Sequence, residues 1–332
     1  MKIALLHDSV LPPKTYGGIE RIVISLAREF TRLGHQVIVL CRKGSRLQEF
    51  EQFELPENYQ AIAAEKWLPK GIDFLHSHQP LPLKPSVPFV VTIHGNGHPG
   101  ESYWRNTNFL SQSHCRNHHG KYFVYNGVDP AQYPFTPQKE DYFVFLARTT
   151  WRVKNLRTAI AWANDLGVRL EIMGGSGVSR GNIHYNGLVE EPEKVKLLAG
   201  ARALIYPTNW DEPCAGAPLE ALACGTPVIS SVNGCMPELV REGTGVVCAN
   251  YQELLAAGAK VLELRPEDCR RAVETFFSVQ RMAQDYLTLF EKIIAMGELD
   301  HEPRYDFNPD SVKLLYKPTF MNRLRLTFLG KI

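Results

Sequence analysis

Two glutamates, Glu212 and Glu220, stand eight positions apart in the segment Asp211-Glu-Pro-Cys-Ala-Gly-Ala-Pro-Leu-Glu220. Residues 217–224 contain no helix breaker except Pro218, which a helix tolerates in its first turn, and Gly225 followed by Pro227 marks a stop. Glu220 is therefore expected inside a short helix and Glu212 in the loop that feeds it. A loop carboxylate and a helical one, set around a helix N-terminus whose free N–H groups favour anions, suit a phosphorylated ligand rich in hydroxyls. The carboxylates would take the hydroxyls, and the helix end the phosphate.

Cations and glycines at other strand ends extend this reading. Arg148 closes an apolar run at 142–146, and Lys154 follows six positions later, just before a helix expected from about Asn155. Two cations converging on a diphosphate act through charge-assisted hydrogen bonds. The loop from Pro12 to Glu20 holds the pair Gly17-Gly18, which lets a ligand approach the backbone at a helix start or simply makes a tight turn. His94 ends the run 89–93, with Gly95 and Gly97 beside it. A lone histidine is more often a structural hydrogen bonder than a catalyst. His76 and His78 alternate on one expected strand, and His114, His118 and His119 fall in what reads as a polar loop. Metal binding is open to either group, but neither brings the carboxylates or cysteines of a familiar site, so a structural role is favoured.

Several signals are missing. No Gly-x-x-x-x-Gly-Lys-Ser/Thr phosphate loop is present, and Gly174-Gly-Ser-Gly177 lacks the full dinucleotide spacing. No Asp-x-Asp occurs to hold a metal on a diphosphate, which leaves that neutralisation to Arg148 and Lys154.

These residues must be placed by alternating strands and helices. Strands are expected over 2–7, 36–41, 73–78, 88–93 and 122–125, then over 142–146, 169–173, 203–206 and 227–230. Helices are expected from Ile19 to Leu33, near Asn155, Pro192 and Ala217, and over 251–264, 267–276 and 279–297. Such alternation implies parallel sheets covered on both faces. With 332 residues, 44% of them hydrophobic, two domains are expected, each with its own core. The boundary falls at the Pro-containing stretch 134–137, giving an amino-terminal domain over 1–130, a second over 131–290 and an extension over 298–332. Lys+Arg 37 against Asp+Glu 35 offers no field for nucleic acid. Seven cysteines, with no Cys-x-x-Cys, speak against a disulfide framework or a zinc site and for a reducing cytoplasm. No apolar stretch approaches the roughly 18 residues needed to span a bilayer.

Taken together, the chain resembles the retaining glycosyltransferases of family four, which have the two-domain GT-B architecture. The resemblance runs from Met1 to about Leu289 and rests on Gly17-Gly-Ile-Glu20, Gly34-His-Gln-Val37, Leu75-His-Ser-His78, Thr92-Ile-His94-Gly95 and Asn126-Gly-Val-Asp129. Most specific is Glu212 with Glu220, which looks like the family's Glu-x7-Glu signature, followed by Ala-Leu-Ala-Cys-Gly-Thr-Pro-Val-Ile229. It implies an α/β fold of two facing, doubly wound Rossmann-like domains with a cleft between them. By the same resemblance Arg148 and Lys154 grip the donor diphosphate, Glu220 the ribose and Glu212 the hydroxyls of the transferred sugar. His94 lies near the reacting sugar, the Leu188 and Val189 backbone meets the base, and Gly17 and Gly18 border the phosphates and acceptor. Ala217 and Pro218 complete the donor-binding set. No cofactor or metal is implied beyond the nucleotide diphosphate sugar. Where relatives have Glu-Pro-Phe-Gly, this chain has Glu212-Pro-Cys-Ala-Gly216, Ala147 replaces a glycine before Arg148, and the segment between His94 and Tyr122 is short, which suggests a small or open acceptor site.

The activity so implied is metal-independent, retaining transfer of a hexose or N-acetylhexosamine to a saccharide or lipid-linked acceptor, in surface polysaccharide or glycolipid synthesis. The alternatives are a sugar nucleotide 2-epimerase of the same fold and a non-catalytic sugar nucleotide binding subunit. From Lys313 onward the extension carries five cations and no acid, interleaved with leucines and aromatics. That pattern fits either packing on the amino-terminal domain or peripheral contact with an anionic membrane. The oligomeric state is not legible.

Overall fold

The computed structural model describes residues 1–13 and 17–315, and these form two compact units. One unit is Met1–Asp129 with Phe277–Asn308; the other runs from Pro130 to Phe276 and resumes at Pro309. In the first, strands β1 (Lys2–Leu6), β2 (Gln36–Cys41), β3 (Glu51–Glu54), β4 (Phe74–Ser77), β5 (Phe89–Thr92) and β6 (Thr107–Asn108) make a parallel sheet in the order β3-β2-β1-β4-β5-β6. The alternate residues of β1 explain its unbroken apolar sequence. Ile3 and Leu5 face one core with Val23, Leu26 and Phe30 of helix α1 (Gly18–Arg32), while Ala4 and Leu6 face another with Ile38, Leu75 and Trp67. Helix α2 (Gln112–Asn117) is short, and the Ser111 side chain caps it by accepting from His114 N.

The second unit repeats the plan. Strands β7 (Phe143–Leu146), β8 (Leu170–Met173), β9 (Ile183–Gly187), β10 (Leu204–Tyr206), β11 (Val228–Ser231) and β12 (Gly245–Cys248) lie in the order β12-β11-β10-β7-β8-β9, all parallel. Read from its other edge, the order matches that of the first sheet. In both, strand order reverses beside the first strand, between β1 and β4 and between β7 and β10, and ligands of such sheets bind at the carboxyl ends of the strands at that switch point. Helices α3 (Leu156–Leu166), α4 (Glu193–Gly200), α5 (Gly216–Ala223), α6 (Met236–Leu239), α7 (Tyr251–Lys260) and α8 (Pro266–Phe276) surround the sheet. Its core centres on Phe143, Phe145, Trp162, Ile172 and Ile205, and the Trp162 indole donates to Leu254 O at 2.8 Å.

Helix α9 (Val279–Met296) changes the division read from sequence. Its stripe Met282, Ala283, Tyr286, Leu289, Phe290 and Ile293 is buried in the first unit, with Phe290 stacked on Phe74 at 4.1 Å. The chain thus returns at Phe277, and an end to the second domain at 290 would cut through this helix. Residues 298–308 continue in the first unit: Leu299 is buried, and its N–H donates to Asn106 Oδ1 at 3.0 Å. Lys313 and Leu315 join the second unit, Lys313 through paired bonds with Asn233 and Leu315 in the core around Trp162. The basic and aromatic run beyond Leu315 lies outside the described residues.

Residues 122–125 form only an isolated bridge, Phe109 with Phe123, not a strand. Strands β3, β6, β9 and β12 escaped the apolar pattern because they are polar, very short or only partly buried. The expected polar loop instead contains α2, in which His114 is buried, with His118 buried at its C-cap and His119 just beyond. No helix among the described residues is long and apolar enough to cross a membrane.

Candidate functional site

At the switch point of the second sheet, the loops after β7 and β10 bring Lys154 onto Glu212. Lys154 lies in a single 3-10 turn, Arg152–Lys154, and Asn155 then takes a left-handed conformation at φ 60 that turns the chain into α3. The Asn155 amide holds this turn by donating to Pro207 O at 2.8 Å. Lys154 Nζ reaches Glu212 Oε1 at 2.5 Å and the Tyr206 hydroxyl at 2.9 Å. Tyr206 and the Thr208 hydroxyl donate to the same Oε1, at 3.2 and 3.0 Å. One oxygen of a buried carboxylate is thereby fixed by three donors, while Oε2 has no hydrogen-bond partner among the described residues.

The backbone of Glu212 is fixed as well. Cys235 N donates to Glu212 O at 2.8 Å, and Gly234, at φ 61, lies so close that any side chain there would strike the Glu212 N and O. On the other side of β7, Gly174 (φ 113) and Gly175 press on the loop of Arg148, where a side chain would meet Ala147 O and the Thr149 hydroxyl. Gly174 and Gly175 thus serve close packing of two loops, while Gly177 makes room for the Tyr185 ring of β9. Arg148 is exposed, its guanidinium 4.8 Å from the centre of the Trp151 ring, with Lys154 Nζ 5.9 Å from the same ring.

Glu220 lies within α5, whose first residues Gly216, Ala217 and Pro218 leave a helix start with no side-chain cap. Its carboxylate is held elsewhere: Lys194 Nζ contacts Glu220 Oε2 at 2.8 Å and Glu191 Oε1 at 3.1 Å. Leu188 and Val189 directly follow β9, and Leu188 is 73% exposed. Arg148, Lys154 and Glu212 are therefore gathered around Trp151 and Tyr206, with Glu220 anchored separately by α4. Tyr206, Thr208, Trp151 and Lys194 were not singled out in the sequence. Tyr206 read as strand core, and Lys194 was hidden among the charges of 190–196.

In the first unit, Gly17 precedes α1 and Gly18 opens it, again with no side-chain cap; residues 14–16 lie outside the described residues. Behind them, Glu20 accepts from Ser9 Oγ at 3.0 Å and lies 3.7 Å from His7. His94, at the end of β5, shares a 2.9 Å bond with His78, and His76 shares one of the same length with Thr92. The ring-to-ring bond between His78 and His94 needs one donor and one acceptor nitrogen, so at least the accepting ring is neutral. Burial first, then neighbouring histidine charge, pushes His76 and His94 down to about 3, and His78 well below its ordinary value. His114 accepts from Leu110 N and therefore donates from Nε2 to Gly95 O at 2.9 Å, fixing the loop beside His94; burial pushes it to about 3 as well. Among the described residues, no group of three or more His, Cys, Asp or Glu side chains is placed to hold a metal ion.

Residues 16–129 match the family model Glycosyltransferase Family 4, and residues 133–276 match Glycosyl transferases group 1. The first unit thus carries the match to the Family 4 model and the second unit the match to the group 1 model. The chain is 26% identical over 126 residues to spore coat protein SA of Bacillus subtilis (strain 168), a match that covers 35% of this chain and 33% of that protein. It is 33% identical over 100 residues to O-antigen chain mannosyltransferase B of Escherichia coli, covering 30% of this chain and 25% of the relative. The matched stretches thus span a third or less of those curated relatives. Among solved structures, a glycosyltransferase involved in Avilamycin A biosynthesis superposes with a TM-score of 0.73 at 24% identity, over 89% of this chain and 98% of that one. Sucrose-phosphate synthase from Thermosynechococcus elongatus gives 0.70 at 16% identity, over 89% and 99%. The fold is that of the GT-B glycosyltransferases, built of two Rossmann-like domains.

Proposed function

We propose that this chain is a retaining, metal-independent glycosyltransferase, and that it moves a hexose or N-acetylhexosamine from a nucleotide diphosphate sugar to a saccharide or lipid-linked acceptor in surface polysaccharide or glycolipid synthesis. The observation that carries the proposal is the buried Glu212 carboxylate, fixed through one oxygen by Lys154, Tyr206 and Thr208 at a sheet switch point. Cleaving a glycosyl phosphate bond leaves negative charge on the diphosphate and an oxocarbenium-like sugar, so cations fixed at the leaving group lower the barrier. Arg148 and Lys154 supply that charge, and the free oxygen of Glu212 accepts from the sugar hydroxyls. Glu220 takes the ribose, the backbone at Leu188 and Val189 the base, and the α5 start at Ala217 and Pro218 a phosphate oxygen. From the first unit, Gly17 and Gly18 border the phosphates and acceptor, and neutral His94 offers the reacting sugar a hydrogen bond, not a charge. Attack from the face the leaving group departs, with a donor phosphate oxygen taking the acceptor proton, gives retention without a protein nucleophile.

The mannosyltransferase names among the relatives favour a hexose donor and make GDP-mannose the first to try. Thermal shift across UDP-, GDP- and ADP-sugars is expected to show stabilisation by one base class, lost in Arg148→Ala and Lys154→Ala. Product anomeric configuration and activity in excess EDTA then test retention and metal independence. Epimer formation from donor alone would favour the 2-epimerase, and donor binding with neither transfer nor hydrolysis would favour a binding subunit.

A further inference from the structure

We propose that Lys194 is a positioning residue for the nucleotide ribose, holding the Glu220 carboxylate so that its free oxygen faces the ribose hydroxyls. The inference rests on the assignment of Glu220 to the ribose and adds a residue that assignment does not contain. Lys194 is the second residue of α4, where the helix dipole disfavours a positive charge, so helix stability does not account for it. Its ammonium is instead drawn toward α5. It lies closer to Glu220 Oε2, at 2.8 Å, than to Glu191 Oε1, at 3.1 Å, and the Lys194 side chain is only 12% exposed. Glu191 is much the more exposed of the two acids, and it balances the cation from the solvent side.

The consequence for Glu220 is geometric. A glutamate in mid-helix has three side-chain torsions, and a carboxylate that is to accept from two vicinal hydroxyls must have its plane fixed. Lys194 binds Oε2, while Oε1 has no hydrogen-bond partner among the described residues. Glu212 is built the same way, one oxygen tied by Lys154 and the other left open. Each of the two signature glutamates thus has its own lysine, delivered from a different element.

The experiment measures calorimetric binding of UDP, GDP and ADP to the full chain, then of the 2′,3′-dideoxy counterpart of whichever binds. Wild type, Lys194→Met, Lys194→Arg and Glu220→Gln are compared, with folding checked by circular dichroism melts. Lys194→Met is expected to weaken the ribonucleotide about tenfold or more and leave the dideoxy nucleotide unchanged, with partial recovery in Lys194→Arg. Equal weakening of both nucleotides would reduce Lys194 to a structural role and overturn the proposal. Wild-type behaviour of Lys194→Met, beside a Glu220→Gln variant that has lost ribose preference, would overturn the role of Lys194 alone. Unchanged ribose preference in Glu220→Gln, or no nucleotide binding by the wild type, would overturn the ribose assignment and the proposal with it.

Discussion

Three donors on one carboxylate oxygen make Glu212 the most constrained side chain of the candidate site, and they differ in what their removal does. Lys154→Ala leaves Glu212 buried without its counterion and, on the proposed reading, strips a cation from the leaving group. Turnover is expected to fall about a hundredfold or more, and stability by about 3 kcal/mol. Tyr206→Phe removes one neutral hydroxyl from Oε1 and leaves the ion pair standing, so stability should drop by about 1 kcal/mol and turnover by much less than in Lys154→Ala. Steady-state kinetics and urea unfolding of both variants check the order. Equal losses would mean that the Tyr206 hydroxyl does more than orient the carboxylate. Lys154 was singled out in the sequence by its place just after a strand end, and Glu212 by its eight-residue spacing from Glu220. Tyr206 and Thr208 were not, because a tyrosine and a threonine at a strand end look like ordinary sheet residues until the neighbouring loop is placed.

Between residues and domains stand the elements, and Lys139 shows how α4 and α5 are fixed to each other. Its ammonium donates to Ala199 O at 2.8 Å, to Cys224 O at 3.3 Å and to Thr226 Oγ1 at 3.1 Å, bridging the carboxyl-terminal ends of both helices. Burial pushes this lysine down to about 8. Lys139→Met would leave three acceptors without their donor and should destabilise the protein by roughly 2 kcal/mol, read from the urea midpoint. Because α4 carries Lys194 and α5 carries Glu220, the same variant should raise the KM for donor more than it lowers kcat. An unchanged KM would show that the two helices hold their register without this pin. The strand and helix alternation of both units was readable because buried parallel strands are written as continuous apolar runs. Edge strands such as β3, whose four residues are all exposed, carry no such signature.

For the whole molecule, chain order misled where domain membership depends on tertiary packing. Helix α9 follows the second unit in sequence, yet its stripe is complementary to the sheet of the first, and nothing local distinguishes the two destinations. The same packing decides how membrane contact by the tail should be tested. A chain cut near Gly297 would remove the buried Leu299 and Leu315, so the informative cut follows Leu315. If the run beyond it binds membranes, the full chain should pellet with anionic vesicles and the shortened one should not; equal pelleting would refute it. The unequal sharing of buried and half-buried histidines between the units gives a second global prediction. His76, His94 and His114, each pushed to about 3, and His78, also lowered, all lie in the first unit. Unfolded, they take up protons near the ordinary histidine value of 6.5; folded, they do so only well below it. The unfolded state therefore binds more protons between pH 6.5 and 3, so the stability they contribute is fully present above that window and is lost as pH falls through it. Calorimetric scans from pH 7.5 to 5 should show the first unit's transition moving down in temperature with proton uptake on unfolding, while the second unit's moves less. A common shift of both transitions, or unfolding without proton uptake, would mean that these rings are already charged in the native protein.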